Sequence, residues 1–234
     1  MAGRRPRADA QAVVVGLALA LILVGCKVPV DAPAPTSPAP SSAAQVRFAA
    51  VGDSLTAGTV MPGVLVDPPA EVSWVYYADA SDSAIFVGGW AHAGSTSTMQ
   101  AANVTPVDAD VLIIESGTND VLQGIDFAQQ TADMDAIAST IRAPSVLVLA
   151  IPPLESLADS GAVTTTNVEL EQLAFARGWD FLDPWKAYRL GERWSPGTSD
   201  DGIHPTLIVH RSVGGTIARF LDEHYRKPAT SRAE

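Results

Sequence analysis

From residue 46 onward the chain alternates short, largely apolar runs with longer stretches of helical periodicity, which leaves few folds open. The runs cover residues 46–51, 84–87, 111–115, 146–151 and, most briefly, 179–182. Apart from Arg47, Glu115 and Asp180, they are apolar at consecutive positions rather than at every second one, as expected of strands covered on both faces. Between them, residues 74–80, 95–103, 126–142, 167–177 and 206–225 read as helices. Met134, Ile137 and Ile141 fall near one face of the third, and Val213, Ile217 and Leu221 near one face of the last. Strand–helix alternation of this kind predicts an α/β fold, a parallel sheet with helices on both sides.

The first 45 residues do not share this pattern. Arg4, Arg5 and Arg7 precede an uncharged apolar run at 12–24. A membrane span needs roughly 20 such residues, so the run is short for one and reads as a secretory signal peptide, residues 1–25. It ends in Leu23-Val24-Gly25-Cys26, which resembles the lipobox of bacterial lipoproteins. The resemblance implies cleavage before Cys26, the chain's only cysteine, and acylation of that residue (palmitate among the acyl groups). An ordinary signal peptide with a coincidental cysteine is the other reading. Residues 26–44 are rich in Pro, Ala and Ser and form an expected tether, the folded domain spans 45–227, and 228–234 is a polar tail. The expected location is therefore outside the cytoplasm, on the membrane's outer face. Cleavage would leave 12 basic against 25 acidic residues, so lipid rather than protein charge would do the anchoring. The same acidity excludes general nucleic-acid binding, and a single cysteine excludes an internal disulfide framework.

Ligands of an open parallel sheet bind beyond the carboxyl ends of its strands, and there the polar segments lie. Gly52-Asp53-Ser54 follows the first run, Gly94 comes shortly after the second, and Gly117-Thr118-Asn119-Asp120 follows the third. Asp201-Gly202-Ile203-His204-Pro205 reads as a turn able to bring Asp201 to His204. A serine needs a base to become nucleophilic, histidine is the usual base near neutrality, and a carboxylate orients the imidazole. Each residue also has a plainer reading: Ser54 as a helix cap, Asn119 as a turn former, Asp53 and Asp120 as loop supports. Asp200 competes with Asp201. His92, His210 and His224 read as packing or surface residues, and Trp90, Trp185 and Trp194 as core.

Taken in order, these segments resemble the blocks of the SGNH-hydrolase family, also called GDSL esterases and lipases. Gly52-Asp53-Ser54-Leu55 matches the first block, Gly94 the glycine of the second, Gly117-Thr118-Asn119-Asp120 the third and Asp201–His204 with Pro205 the last. The place five residues before Gly94, often Asn in that family, is Gly89. The resemblance implies a three-layer, flavodoxin-like α/β/α sandwich. It implies Ser54 as nucleophile, His204 as general base and then acid, and Asp201 as its orienting carboxylate. It further implies an oxyanion hole of the Ser54 and Gly94 backbone N–H groups with the Asn119 side chain, and no cofactor or metal. The expected activity is hydrolysis of carboxylic esters through an acyl-enzyme, on acylated polysaccharide or lipid; absence of a long apolar lid favours short acyl groups. An acyltransferase using the same triad, and a surface binding protein without turnover, are the alternatives. Oligomeric state is not determined by the sequence.

Overall fold

The computed structural model describes residues 44–58 and 71–227. The expected signal peptide, Cys26, the tether up to residue 43 and the tail lie outside the described residues.

Five strands, β1 (Val46–Gly52), β2 (Ala84–Ala91), β3 (Val111–Glu115), β4 (Ser145–Leu149) and β5 (Asp180–Leu182), form one sheet in the order β2-β1-β3-β4-β5. All neighbours are parallel. This is the flavodoxin-like order, with its direction of winding reversing between β1 and β3. The helices are α1 (Ser54–Ala57), α2 (Trp74–Asp79), α3 (Ser97–Asn103), α4 (Thr118–Gln123), α5 (Phe127–Ile141), α6 (Ala162–Arg177) and α7 (Leu207–Tyr225). A two-residue antiparallel pair, β6 (Arg189–Leu190) and β7 (Arg193–Trp194), precedes the last turn.

The continuity of the apolar runs is explained by two cores. Phe48, Ala50, Ile113, Leu147 and Leu149 face one side, against Trp74 and Val75 of α2 and Val213, Ile217 and Leu221 of α7. Ala49, Val51, Leu112, Ile114 and Val148 face the other, against Met134 and Ile137 of α5 and Leu170 and Leu173 of α6. Successive residues of one strand thus serve opposite layers. Each large side chain so buried contributes about 1.5–3 kcal/mol.

Strand ends differ from the expected ones for identifiable reasons. β2 does not stop before Gly88-Gly89 but runs on to Ala91. Its register against β1 slips at Val87, since Phe48 pairs with Phe86 but Ala49 with Gly88. Gly89 is left at φ +146°, with Ala50 O 1.9 Å from where a β-carbon would sit. The glycines therefore carry the strand through its bulge instead of ending it. β4 stops at Leu149, not Ile151, because the Asn167 side-chain amide takes over the backbone of Ile151, accepting from its N (2.8 Å) and donating to its O (3.1 Å). α6 starts five residues before the expected position, capped from afar. The Glu192 carboxylate accepts from the Gly161 and Thr164 amides, at 3.0 and 3.2 Å. α3 begins at Ser97 rather than 95, behind the Thr96 cap.

Candidate active site

β1 and β3 end side by side, with Gly52 paired to Glu115. Gly52 is required there: a β-carbon would lie 2.3 Å from Thr56 Oγ1 and 2.7 Å from Glu115 O. The next residue, Asp53, caps α1 by accepting from the Leu55 amide at 2.9 Å. Ser54 is thus not the cap but the first helical residue, where the backbone N–H has no partner within the helix. The Gly-rich turn expected after β1 is in fact this short helix.

Ser54 Oγ lies 2.9 Å from His204 Nε2, although 150 residues separate them. His204 Nδ1 lies 2.7 Å from Asp201 Oδ2. Asp201 Oδ1 accepts from the amides of Ile203 (2.9 Å) and His204 (2.7 Å), so one carboxylate both folds the turn and holds the ring. Partial burial pushes this carboxyl up, but the His204 amide and ring and the Ile203 amide together hold it below the ordinary range. An ionised Asp201 can only accept, so His204 Nδ1 carries the hydrogen and Nε2 presents its lone pair to Ser54. The turn itself is fastened by a Ser199–Pro205 bridge, a Thr206 amide donating to Thr198 O (2.9 Å) and a Glu155 amide donating to Gly202 O (2.9 Å). Asp200 is exposed beside it and takes no part in the Ser54–His204–Asp201 chain.

Gly94 and Asn119 reach the same place. A pocket of about 240 Å³ is lined by Ser54, Gly94, Asn119, Leu122, Ile203 and His204, with Ala93 and Thr118. Asn119 stands on α4, not in the loop expected after β3. Its Nδ2 donates to Asp53 Oδ2 and to Ser95 O, both at 3.1 Å. The amide therefore links the pocket wall to the buried carboxylate behind it. A second groove also bordered by Ser54 and His204 is lined by Gly58, Val72, Pro205, Leu207 and His210.

Behind the pocket lies a group that sequence reasoning missed. Glu115, fully buried at the end of β3, accepts from Thr56 Oγ1 at 3.1 Å. Thr56 Oγ1 in turn accepts from Trp74 Nε1 at 3.3 Å. The Glu115 and Asp53 carboxyls lie within hydrogen-bonding reach of each other. Burial pushes Asp53 up to about 6, and burial with the neighbouring Asp53 charge pushes Glu115 well above the carboxylate range. A single acidic residue closing an otherwise apolar strand run was the available signal.

The plainer readings hold for several residues. Asp120 is a staple: its carboxylate accepts from the Ser97 amide (3.0 Å) and hydroxyl (2.5 Å), tying α4 to α3. Trp185 and Trp194 are buried in the core, ring edge to face. Trp90 is only half-buried and stacks on His92. His210 is buried, and His224 stacks on Phe220 at the surface.

Residues 50–211 match the GDSL-like lipase/acylhydrolase family. No curated protein is detectably similar in sequence. Among solved structures, a member of the lipolytic protein G-D-S-L family from Veillonella parvula is 18% identical, with a TM-score of 0.56 over 76% of this chain and 97% of that one. Est24, a carbohydrate acetylesterase from Sinorhizobium meliloti, is 19% identical, with a TM-score of 0.55 over 77% and 100%. The aryl esterase of M. smegmatis is 22% identical, with a TM-score of 0.52 over 77% and 99%. At these identities the likeness establishes a shared fold.

Proposed function

This chain belongs to the GDSL-like lipase/acylhydrolase family and is a serine ester hydrolase; we propose that it is exported, lipid-anchored at Cys26, and removes short acyl groups from carbohydrate hydroxyls through an acyl-enzyme. Ser54 Oγ attacks the ester carbonyl while His204 Nε2 takes its proton. Collapse of the tetrahedral intermediate expels the alcohol, which receives that proton from His204. A water, deprotonated by the same nitrogen, then cleaves the acyl-enzyme and frees the acid as His204 returns the proton to the departing Ser54 Oγ. Asp201 keeps the imidazole in the required tautomer and stabilises its cationic form. The developing oxyanion is received by the Ser54 and Gly94 amides and by Asn119, one of whose two Nδ2 hydrogens turns to it from Ser95 O.

One observation carries this reading: the unbroken relay from Ser54 Oγ through the His204 ring to Asp201, at 2.9 and 2.7 Å. A small pocket beside it supports short acyl groups, and the carbohydrate acetylesterase Est24 has the same fold. The lipid anchor is supported by the sequence around Cys26. The purified protein is expected to cleave p-nitrophenyl acetate and acetylated sugars and to be labelled by a serine-directed phosphonate. Ser54→Ala loses both while keeping its circular dichroism. A folded protein that cleaves no ester and takes no label refutes the reading. Product analysis with an acceptor sugar present separates hydrolysis from acyl transfer, and mass spectrometry of the membrane-extracted N-terminus tests acylation of Cys26.

A further inference from the structure

We propose that Glu115 is a positioning residue that works as a neutral acid, donating its carboxyl proton to Asp53 so that the wall behind the oxyanion hole carries one negative charge instead of two. This rests on the esterase function above. The geometry requires a proton somewhere in the pair. Asp53 Oδ1 accepts from the Leu55 amide and Oδ2 from Asn119 Nδ2, so Asp53 is surrounded by donors and suited to the charged form. Among the described residues, Glu115 has only the Thr56 hydroxyl on Oε2, while Oε1 is fully buried without a donor. An O–H on Oε1 directed at Asp53 satisfies both residues at once. Two bare carboxylates in contact within a dry site would each lack compensation.

The consequence reaches the reaction through Asn119. Its Nδ2 is hydrogen-bonded to Asp53 and borders the pocket that also holds Ser54. Charge on the acid pair therefore opposes the negative charge that develops on the substrate oxygen, an effect confined to the transition state. Keeping the proton on Glu115 limits that opposition while leaving Asp53 charged to hold the amide. Among the described residues the other ionisable groups facing the pair are His204, which in its protonated form favours ionised Asp53, and Asp120, whose negative charge disfavours it. Both remain unaltered in the test.

Glu115→Gln imitates the neutral acid, with its amide donating to Asp53 and its oxygen accepting from Thr56. On p-nitrophenyl acetate between pH 5.5 and 9.5, Glu115→Gln is expected to keep kcat within about threefold of wild type near neutrality and to abolish the reversible alkaline fall of wild-type kcat. Glu115→Leu, which leaves Asp53 without that donor, is expected to lose at least tenfold in kcat with KM within about twofold. An alkaline limb identical in wild type and Glu115→Gln overturns the proposal; if Glu115→Leu does not fold, this comparison alone decides. The dependence of unfolding free energy on pH gives a second readout independent of turnover. Wild type should lose stability relative to Glu115→Gln as the pH rises from about 4.5, where the unfolded glutamate ionises, toward its raised native value, and parallel curves across that range overturn the proton's placement. A wild type that cleaves no ester refutes the esterase function, and the stability curves then still decide where the proton sits.

Discussion

Asp201 carries two tasks on two oxygens, and a substitution can separate them. Oδ1 secures the turn through the Ile203 and His204 amides, and Oδ2 holds the ring. Asn at 201 keeps an oxygen for the amides but offers an N–H to His204 Nδ1. The ring must then present a lone pair there, so Nε2 is protonated and cannot deprotonate Ser54. Asp201→Asn is expected to lose about 10⁴-fold in kcat with a melting temperature close to wild type. Asp201→Ala should lose activity and also melt earlier, because two amides lose their acceptor. Comparable melting of the two variants would show that the turn does not depend on Oδ1. At this scale much of the site could be read from the sequence, because Ser54, Asn119, Asp201 and His204 stand in short polar segments with recognisable spacing. Glu115 could not, since its role depends on Asp53, which follows the residue paired with Glu115 across the sheet, a relation fixed by strand register.

Elements were readable wherever local physics set their limits. α5 runs from Phe127 to Ile141 between an Asp126 cap, whose side chain accepts from the Gln129 amide at 2.7 Å, and Arg142; β3 covers its run completely. They were misread where a distant residue set the limit, as Glu192 does for α6 and Asn167 for β4. β2 is the instructive case, because Gly88-Gly89 looks like a strand breaker but serves a bulge in mid-strand. That explanation has a sharp consequence at Gly89. A methyl group there meets Ala50 backbone, which cannot yield as a side-chain tip would, and φ +146° is hostile to any L side chain. Gly89→Ala is expected to destabilise the protein by about 3 kcal/mol or more, read from chemical denaturation. A loss below about 1 kcal/mol would mean that β1 and β2 separate easily at the bulge.

Across the whole molecule, buried titratable groups set opposing pH dependences of stability. Asp53, raised to about 6, and Glu115, raised further, bind protons in the native state that the unfolded chain releases at lower pH. Their contribution favours folding as the pH falls toward about 4. Asp201 acts in the opposite sense, since its lowered native value makes its contribution disappear as the pH falls through the acid range. His210 also opposes the acid pair. It is 6% exposed, its Nδ1 has no hydrogen-bond partner among the described residues, and burial, aided by the nearby His204 charge, lowers it to about 4. Below the unfolded value near 6.5 the unfolded chain takes a proton that native His210 refuses, so this contribution is lost between about pH 6.5 and 4. Replacing the imidazole with an apolar side chain of similar size removes that liability. The stability of His210→Leu, measured by urea denaturation, should therefore gain on wild type by up to about 3 kcal/mol as the pH is lowered from 7 to 4. The sign of the comparison at pH 7 is irrelevant, because packing changes shift both ends equally; the divergence on acidification is the signal. Parallel curves would mean that His210 is protonated in the folded protein with no penalty, which requires an acceptor for its Nδ1.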